Sequence, residues 1–301
     1  MSKIVLSLAS TALTILALEA FLRFVEGAPL RNVDGIVLWS TRSPRSDRAD
    51  IERAAHEPDA FTIVGLGDSI MYGVSVPKQA TYLEHARRIL AERSKRHVEM
   101  INLAVPGYNT VQEDAVHKEV AAQLDANLVL VHFWSDDAHQ YVSDGDSVYD
   151  TGLTLNNERQ LGAASFAVRL NDFLLAHFRL YDHIDAGLLR IQTHPRSVRD
   201  EPADLARMCR ALTAIRDRAG GRLLVLSSPP LDGPLPAGDN VPVSLRECAS
   251  PRGIEVVDVT EWLGGAGAQG VGLDSCHFNE AGHRRVGEGL AGYVLAHYLR
   301  E

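Results

Sequence analysis

From Ala60 onward the apolar positions alternate between short continuous runs and helically spaced stretches. The run over 61–66 is nearly all apolar, which predicts a strand buried on both faces. Over 81–93 the apolar residues Tyr82, Ala86, Ile89 and Leu90 fall three or four apart, the spacing of a helix with one core face. The same logic predicts strands at 98–105, 128–134, 223–226 and 254–259, and helices at 111–124 and 279–298. Strands alternating with helices predict a parallel sheet covered on both faces.

The remaining segments break this rhythm. Residues 4–18 carry no charge, and the apolar pattern resumes after Glu19 through Phe21, Leu22, Phe24 and Val25. Taken as far as Val25, a helix here is about 33 Å long, enough to cross a bilayer. Glu19 and Arg23 lie one helical turn apart and can pair. The segment 1–26 is read first as a membrane anchor. A cleaved signal peptide and a buried amphipathic helix are the alternatives, and charge counting does not fix an orientation. Residues 27–58 are polar, broken by Pro29, Pro44 and Pro58, and read as a linker with a short ordered piece at 36–39. The domain proper is expected at 59–301, with 141–220 as a variable insertion or cap. Within it, 143–157 reads as a loop, and 161–191 is amphipathic, with Phe166, Leu170, Phe173, Leu174 and Phe178 on one side.

Composition narrows the function classes. The chain has 301 residues and a net charge of −9, with no long basic run, so nucleic acid is not an expected partner. Arg42, Arg45 and Arg48 read as a solvated linker cluster. Cys209, Cys248 and Cys276 are too few for a disulfide framework, and a 209–248 bridge stays open.

The chemistry lies in two segments far apart in sequence. Gly67-Asp68-Ser69 follows the first strand, so Ser69 sits where open parallel sheets bind ligands. Gly145-Asp146-Ser147 repeats the tripeptide without a strand before it and reads as a turn. Asp274 and His277, three apart at the entry of the last helix, can meet through the ring Nδ1–H, which leaves Nε2 to accept a serine proton. The chain order Ser…Asp…His supplies the parts of a nucleophilic hydrolase. Helix capping uses the same residue types, and Asn279 is the expected cap. The set His132, Asp136, Asp137 and His139 matches no metal-binding spacing, so no metal and no cofactor are expected.

With these residues in view, the chain resembles the SGNH/GDSL hydrolase superfamily. Its strand-Gly-Asp-Ser segment is similar to the first block of that superfamily. Asp274, His277, Phe278, Asn279, Gly282 and His283 are similar to the last block. Asn102-Leu103-Ala104-Val105-Pro106-Gly107-Tyr108 resembles the second, and Trp134-Ser135-Asp136-Asp137 stands where the third normally reads G-x-N-D. The resemblance implies a three-layer α/β/α flavodoxin-like sandwich (the SGNH hydrolase fold) with an added N-terminal apolar helix. It implies Ser69, Asp274 and His277 as catalytic residues, and Ser69, Gly107 and Asp136 around the oxyanion. Aspartate for asparagine is a departure, because an ionised carboxylate cannot donate to an oxyanion. A protonated Asp136, Asn109 or a backbone N–H are the candidate substitutes. The implied activity is cleavage of a small-molecule or glycan ester through an acyl-serine. The alternatives are O-acyl transfer or deacetylation on cell-envelope polysaccharide, and a non-catalytic envelope module. The membrane-anchored bacterial branch, with its catalytic domain outside the cytoplasm, is the nearest pattern.

Overall fold

The structure is a computed structural model. It describes residues 3–26, 32–33, 36–37, 44–46, 48–57, 59–119, 121, 124–138, 173–174, 178, 180–181, 184 and 201–299. The chain divides into two compact units, one of residues 1–43 with 141–199, the other of 44–140 with 200–301. The 143–157 loop, the second Gly-Asp-Ser copy, His139 and most of the amphipathic stretch 161–191 lie outside the described residues.

In the first unit, α1 (Lys3–Glu26) is one continuous helix of 24 residues. Thr11 and Thr14 return their hydroxyls to the Ser7 and Ser10 carbonyls, which removes those donors from solvent. Glu19 is buried, and its carboxylate accepts from Arg23 Nε (2.6 Å) and from the Leu180 N–H (2.9 Å). Leu13, Leu16, Phe21 and Phe24 are exposed. Among the described residues no helix is long and apolar enough to cross a membrane. Glu19 and Arg23 interrupt the apolar run of α1 well short of the roughly 20 residues that a span needs. The ordered piece expected at 36–39 appears as a short antiparallel ribbon of β1 (Asn32–Val33) and β2 (Ile36–Val37).

The second unit holds a five-stranded sheet of β3 (Phe61–Gly67), β4 (Val98–Asn102), β5 (Leu128–Phe133), β6 (Leu223–Ser227) and β7 (Glu255–Asp258). Its order is β4-β3-β5-β6-β7, all parallel. Every residue of β3, β4, β5 and β6 is buried, which continuous apolar runs require when helices cover both faces. On one face, α4 (Tyr82–Ser94) packs against α8 (Glu280–His297). On the other, α5 (Thr110–Glu119) packs against α6 (Glu201–Arg218). This is the expected α/β/α sandwich of flavodoxin-like order. After β3 the chain crosses to β4 on one side, and it returns as β5 on the other. The carboxyl ends of β3 and β5 therefore flank the point where connections diverge and a crevice opens.

Element boundaries follow capping and hydrogen-bond supply. The strand expected over 98–105 ends at Asn102, although the Leu103 and Val105 N–H groups still bond to the Gly65 and Gly67 carbonyls. Asn279 caps α8, its Oδ1 accepting from the Gly282 N–H at 3.0 Å. Helices α6 and α7 (Val243–Ala249) were not anticipated from the pattern. In α6 the charged and apolar residues are interleaved, which dilutes the periodicity. All three cysteines are free, so the possible 209–248 bridge is not formed.

Part of the segment expected as linker is packed. Helix α2 (Arg48–Ala55) sends Arg53 to Glu99 on β4, and Asp50 pairs with Lys78. Arg45 is half-buried rather than free in solvent. Its guanidinium lies 4.7 Å from the Tyr72 ring centroid and donates to the Val76 carbonyl at 2.7 Å. The Ser46 N–H bonds to the Asn102 carbonyl at 2.8 Å, and the Asn102 N–H returns to Ser46 Oγ at 2.9 Å.

Candidate active site

Strand β3 delivers Gly67-Asp68-Ser69 to its carboxyl end, and Ser69 is the first residue of α3 (Ser69–Tyr72). Asp68 is buried and caps this single turn, its Oδ1 accepting from the Ile70 N–H at 2.8 Å. Asn102 secures the far end, donating from Nδ2 to the Met71 carbonyl at 2.9 Å while its Oδ1 accepts from the Ala104 N–H at 3.1 Å. A four-residue helix has little stability of its own. These side-chain bonds are what hold Ser69 in one orientation.

The loop before α8 carries the other two groups. Its ends are clamped by bonds from the Leu273 N–H to the His277 carbonyl (2.8 Å) and from the Asn279 N–H to the Val271 carbonyl (3.0 Å). Gly282 lets the helix approach this loop. A Cβ there would lie 2.3 Å from the Val271 oxygen. Phe278 is fully buried against Tyr82, His132 and His283, with ring centroids 5.6–6.4 Å apart, and so anchors the residue next to His277. Ser75 Oγ donates to the Phe278 carbonyl and ties the loop to the segment that follows α3.

The three residues expected to carry the chemistry meet in one chain of hydrogen bonds. His277 Nε2 is 2.8 Å from Ser69 Oγ, and His277 Nδ1 is 2.7 Å from Asp274 Oδ2. Asp274 Oδ1 accepts from the backbone N–H groups of His277 (2.8 Å) and Cys276 (3.0 Å). Desolvation acts to raise the Asp274 carboxyl, but the two N–H groups and the imidazole outweigh it and hold Asp274 well below the usual carboxylate range. Asp274 is therefore ionised at neutral pH. It favours a proton on Nδ1, which leaves Nε2 as the acceptor facing serine. Cys276 Sγ lies 3.6 Å from His277 Nδ1 and 3.7 Å from Asp274 Oδ1. Burial, followed by the Asp274 charge, pushes its thiol up to about 11.

Gly107 sits on an exposed turn with φ of +82°, a conformation that L side chains rarely adopt. Neither the Ser69 nor the Gly107 N–H has an acceptor among the described residues. Asp136 lies in a 3-10 turn, Ser135–Ala138, and its side chain is outside the described residues. Asn109 is occupied as a helix cap. Its Oδ1 accepts from the Val111 and Gln112 N–H groups, and Gln112 Oε1 accepts from the Asn109 N–H, each at 3.1 Å. This reciprocal box was legible as Asn-x-x-Gln in the sequence.

Of two buried groups near the site, His132 is the strand residue expected, and Glu113 was not singled out by the sequence analysis. His132, beside Gly67 in the β3–β5 register, joins Tyr82 Oη (2.8 Å) and Ser228 Oγ (2.7 Å). Burial holds it neutral, with its pKa lowered to about 3. Glu113 on α5 is fully buried, and neither carboxyl oxygen has a partner among the described residues. Burial, then the nearby Asp68 charge, raises its pKa well above the carboxylate range. An open cleft of about 320 Å³ borders the loop at Leu231, Pro234, Gly270, Leu273 and Asp274.

The family described as GDSL-like Lipase/Acylhydrolase matches residues 66–285. No curated protein sequence is significantly similar to the chain. Among solved structures, a lipase/acylhydrolase from Enterococcus faecalis shares 13% identity at a TM-score of 0.43, covering 78% of this chain and 95% of that one. The aryl esterase of M. smegmatis shares 15% at 0.44, covering 79% and 99%. A mutant of an acetyl-xylooligosaccharide esterase from Geobacillus Stearmophilus shares 10% at 0.46, covering 80% and 96%.

Proposed function

Since the chain belongs to the GDSL-like lipase/acylhydrolase family and is an ester-cleaving hydrolase, we propose that it works through an acyl-serine formed on Ser69. The observation that carries this reading is the continuous chain from Ser69 Oγ through His277 to Asp274, with links of 2.8 and 2.7 Å. Ser69 Oγ attacks the ester carbonyl while His277 Nε2 takes its proton, then returns that proton to the leaving alcohol. Water repeats the sequence on the acyl-enzyme. Asp274 holds the imidazole in the required tautomer and offsets the charge of the imidazolium. The Ser69 and Gly107 N–H groups supply the oxyanion donors, and a donor from Asp136 requires its carboxyl to be protonated. The alternative of O-acyl transfer shares the acyl-serine and replaces water with a glycan hydroxyl, so product analysis with a polysaccharide acceptor separates the two.

The test is covalent capture. A fluorophosphonate probe is expected to label the full chain, and Ser69→Ala is expected to abolish labelling. Equal labelling of the two proteins would end the proposal and with it both acyl-serine readings.

The exposed apolar residues of α1 support a second element of the proposal, that this helix associates with a membrane. Deleting residues 1–26 is expected to move the protein from the membrane fraction to the soluble fraction. A soluble full-length chain would refute the association.

A further inference from the structure

The back of the Asp274–His277 pair presents three different metal-binding atoms that ester cleavage does not call for as a set. Asp274, Cys276 and His277 each offer one potential ligand atom, and these atoms lie within 4.8 Å of one another. Their spacing is close to what a tetrahedral ion needs. With Zn–S near 2.3 Å and Zn–N or Zn–O near 2.0–2.1 Å, sulfur and a lighter ligand are separated by about 3.5 Å. Sγ stands 3.6 Å from Nδ1 and 3.7 Å from Oδ1. Asp274 is exposed and Cys276 half-buried, and the adjoining cleft reaches Asp274, so an ion has a path in. A carboxylate, a thiol and an imidazole together favour a thiophilic divalent cation over magnesium or calcium.

We infer that Asp274, Cys276 and His277 form an inhibitory site for a thiophilic divalent cation of the zinc class. The inference rests on the triad proposed above for its effect on turnover, but not for binding. Binding exchanges protons as follows. The thiol loses its proton to solvent as sulfur takes the metal. The cation then bonds to the Nδ1 lone pair, which requires the neutral ring to carry its proton on Nε2. One proton is released, and the ring is held in the other tautomer. Nε2–H can no longer accept the Ser69 proton. The wrong tautomer in a Ser-His-Asp triad costs about 10⁴-fold in turnover, so a filled site is an inactive enzyme.

The full chain is assayed with p-nitrophenyl acetate in a non-coordinating buffer with added Zn²⁺ or Cd²⁺, with Mg²⁺ as the hard-cation control. Wild type is expected to lose at least ten-fold of its activity at micromolar Cd²⁺ and to recover with EDTA, while Mg²⁺ does nothing. Cys276→Ala and the closer-sized Cys276→Ser are expected to stay active and to need at least ten-fold more Cd²⁺ for the same loss. Ultraviolet absorption supplies a readout without turnover. A cadmium–thiolate band is expected in wild type and in Ser69→Ala, and not in Cys276→Ala. Equal inhibition of wild type and both Cys276 variants, or a band that survives Cys276→Ala, overturns the site. A Cys276-dependent band in a protein that cleaves no ester supports the site and refutes the hydrolytic triad.

Discussion

Turnover of an ester substrate is expected to fall about 10⁴-fold in Asp274→Asn at neutral pH, with little change in fold stability. Asparagine keeps an oxygen for the His277 and Cys276 N–H groups that now bond to Asp274 Oδ1, so the loop retains its shape. What changes is the atom facing His277 Nδ1. An amide N–H₂ there pairs with a bare Nδ1, which moves the ring proton to Nε2 and removes the base. Ser69→Ala and His277→Ala are expected to cost as much or more, up to about 10⁶-fold, and the double substitution no more than either alone, because residues acting as one unit are not additive. Steady-state kcat with a p-nitrophenyl ester, together with urea unfolding of each variant, checks this. A ten-fold or smaller loss in Asp274→Asn would leave the carboxylate as a loop-capping residue only.

Acidification is expected to destabilise the fold steeply between pH 6.5 and 5. Burial is the leading cause that lowers the pKa of four histidines, the half-buried His85 and, with the larger shifts, His132 to about 3, His283 to about 4 and His117 to about 4. In the unfolded chain each returns to about 6.5. Below that value the unfolded state binds protons that the folded state refuses, so stability rises with pH across this window. The contribution is complete above pH 6.5 and is lost as pH falls toward the folded values. Glu113 works the other way. Its raised pKa means that the folded state keeps a proton the unfolded chain releases, a contribution present at low pH and lost on raising it. For the three large histidine shifts against Glu113, three protons against one leave a net of two, about 2.7 kcal/mol per pH unit. Between pH 6.5 and 5 that removes about 4 kcal/mol, a large share of a typical total of about 5–15 kcal/mol. Urea midpoints at pH 7, 6 and 5 test it, and Glu113→Gln is expected to steepen the slope. A midpoint that holds or rises on acidification would contradict the assignment of these imidazoles as neutral.

The sheet was legible because most of its buried strands are short, largely apolar runs set between helically spaced stretches. Ser69, Asp274 and His277 were legible because strand end and helix entry restrict where a nucleophile and its base can stand. Other features were hidden for a physical reason. Asn102 holds α3 through a bond to a backbone carbonyl, and backbone partners leave no trace in residue spacing. His132 pairs with Tyr82 and Ser228 across separate elements, so its neutrality depends on contacts that only the fold creates. The packing of Arg45 on Tyr72 was missed because charge and nearby prolines suggest solvent. A guanidinium needs only an aromatic face and one carbonyl to leave it.

That short strap has a consequence for where the enzyme can be cut. Arg45 and Ser46 reach the nucleophile's helix and the strand beside it through Val76, Tyr72 and Asn102. A protease that severed the chain just after Ser46 would leave every residue of the triad in place and covalently intact. It would free the one piece of upstream chain that braces the far end of α3. Trimming to the sheet's first strand, the natural choice for a minimal enzyme, removes the same brace. A form that keeps this brace begins at or ahead of Pro44, before any residue that the family match includes.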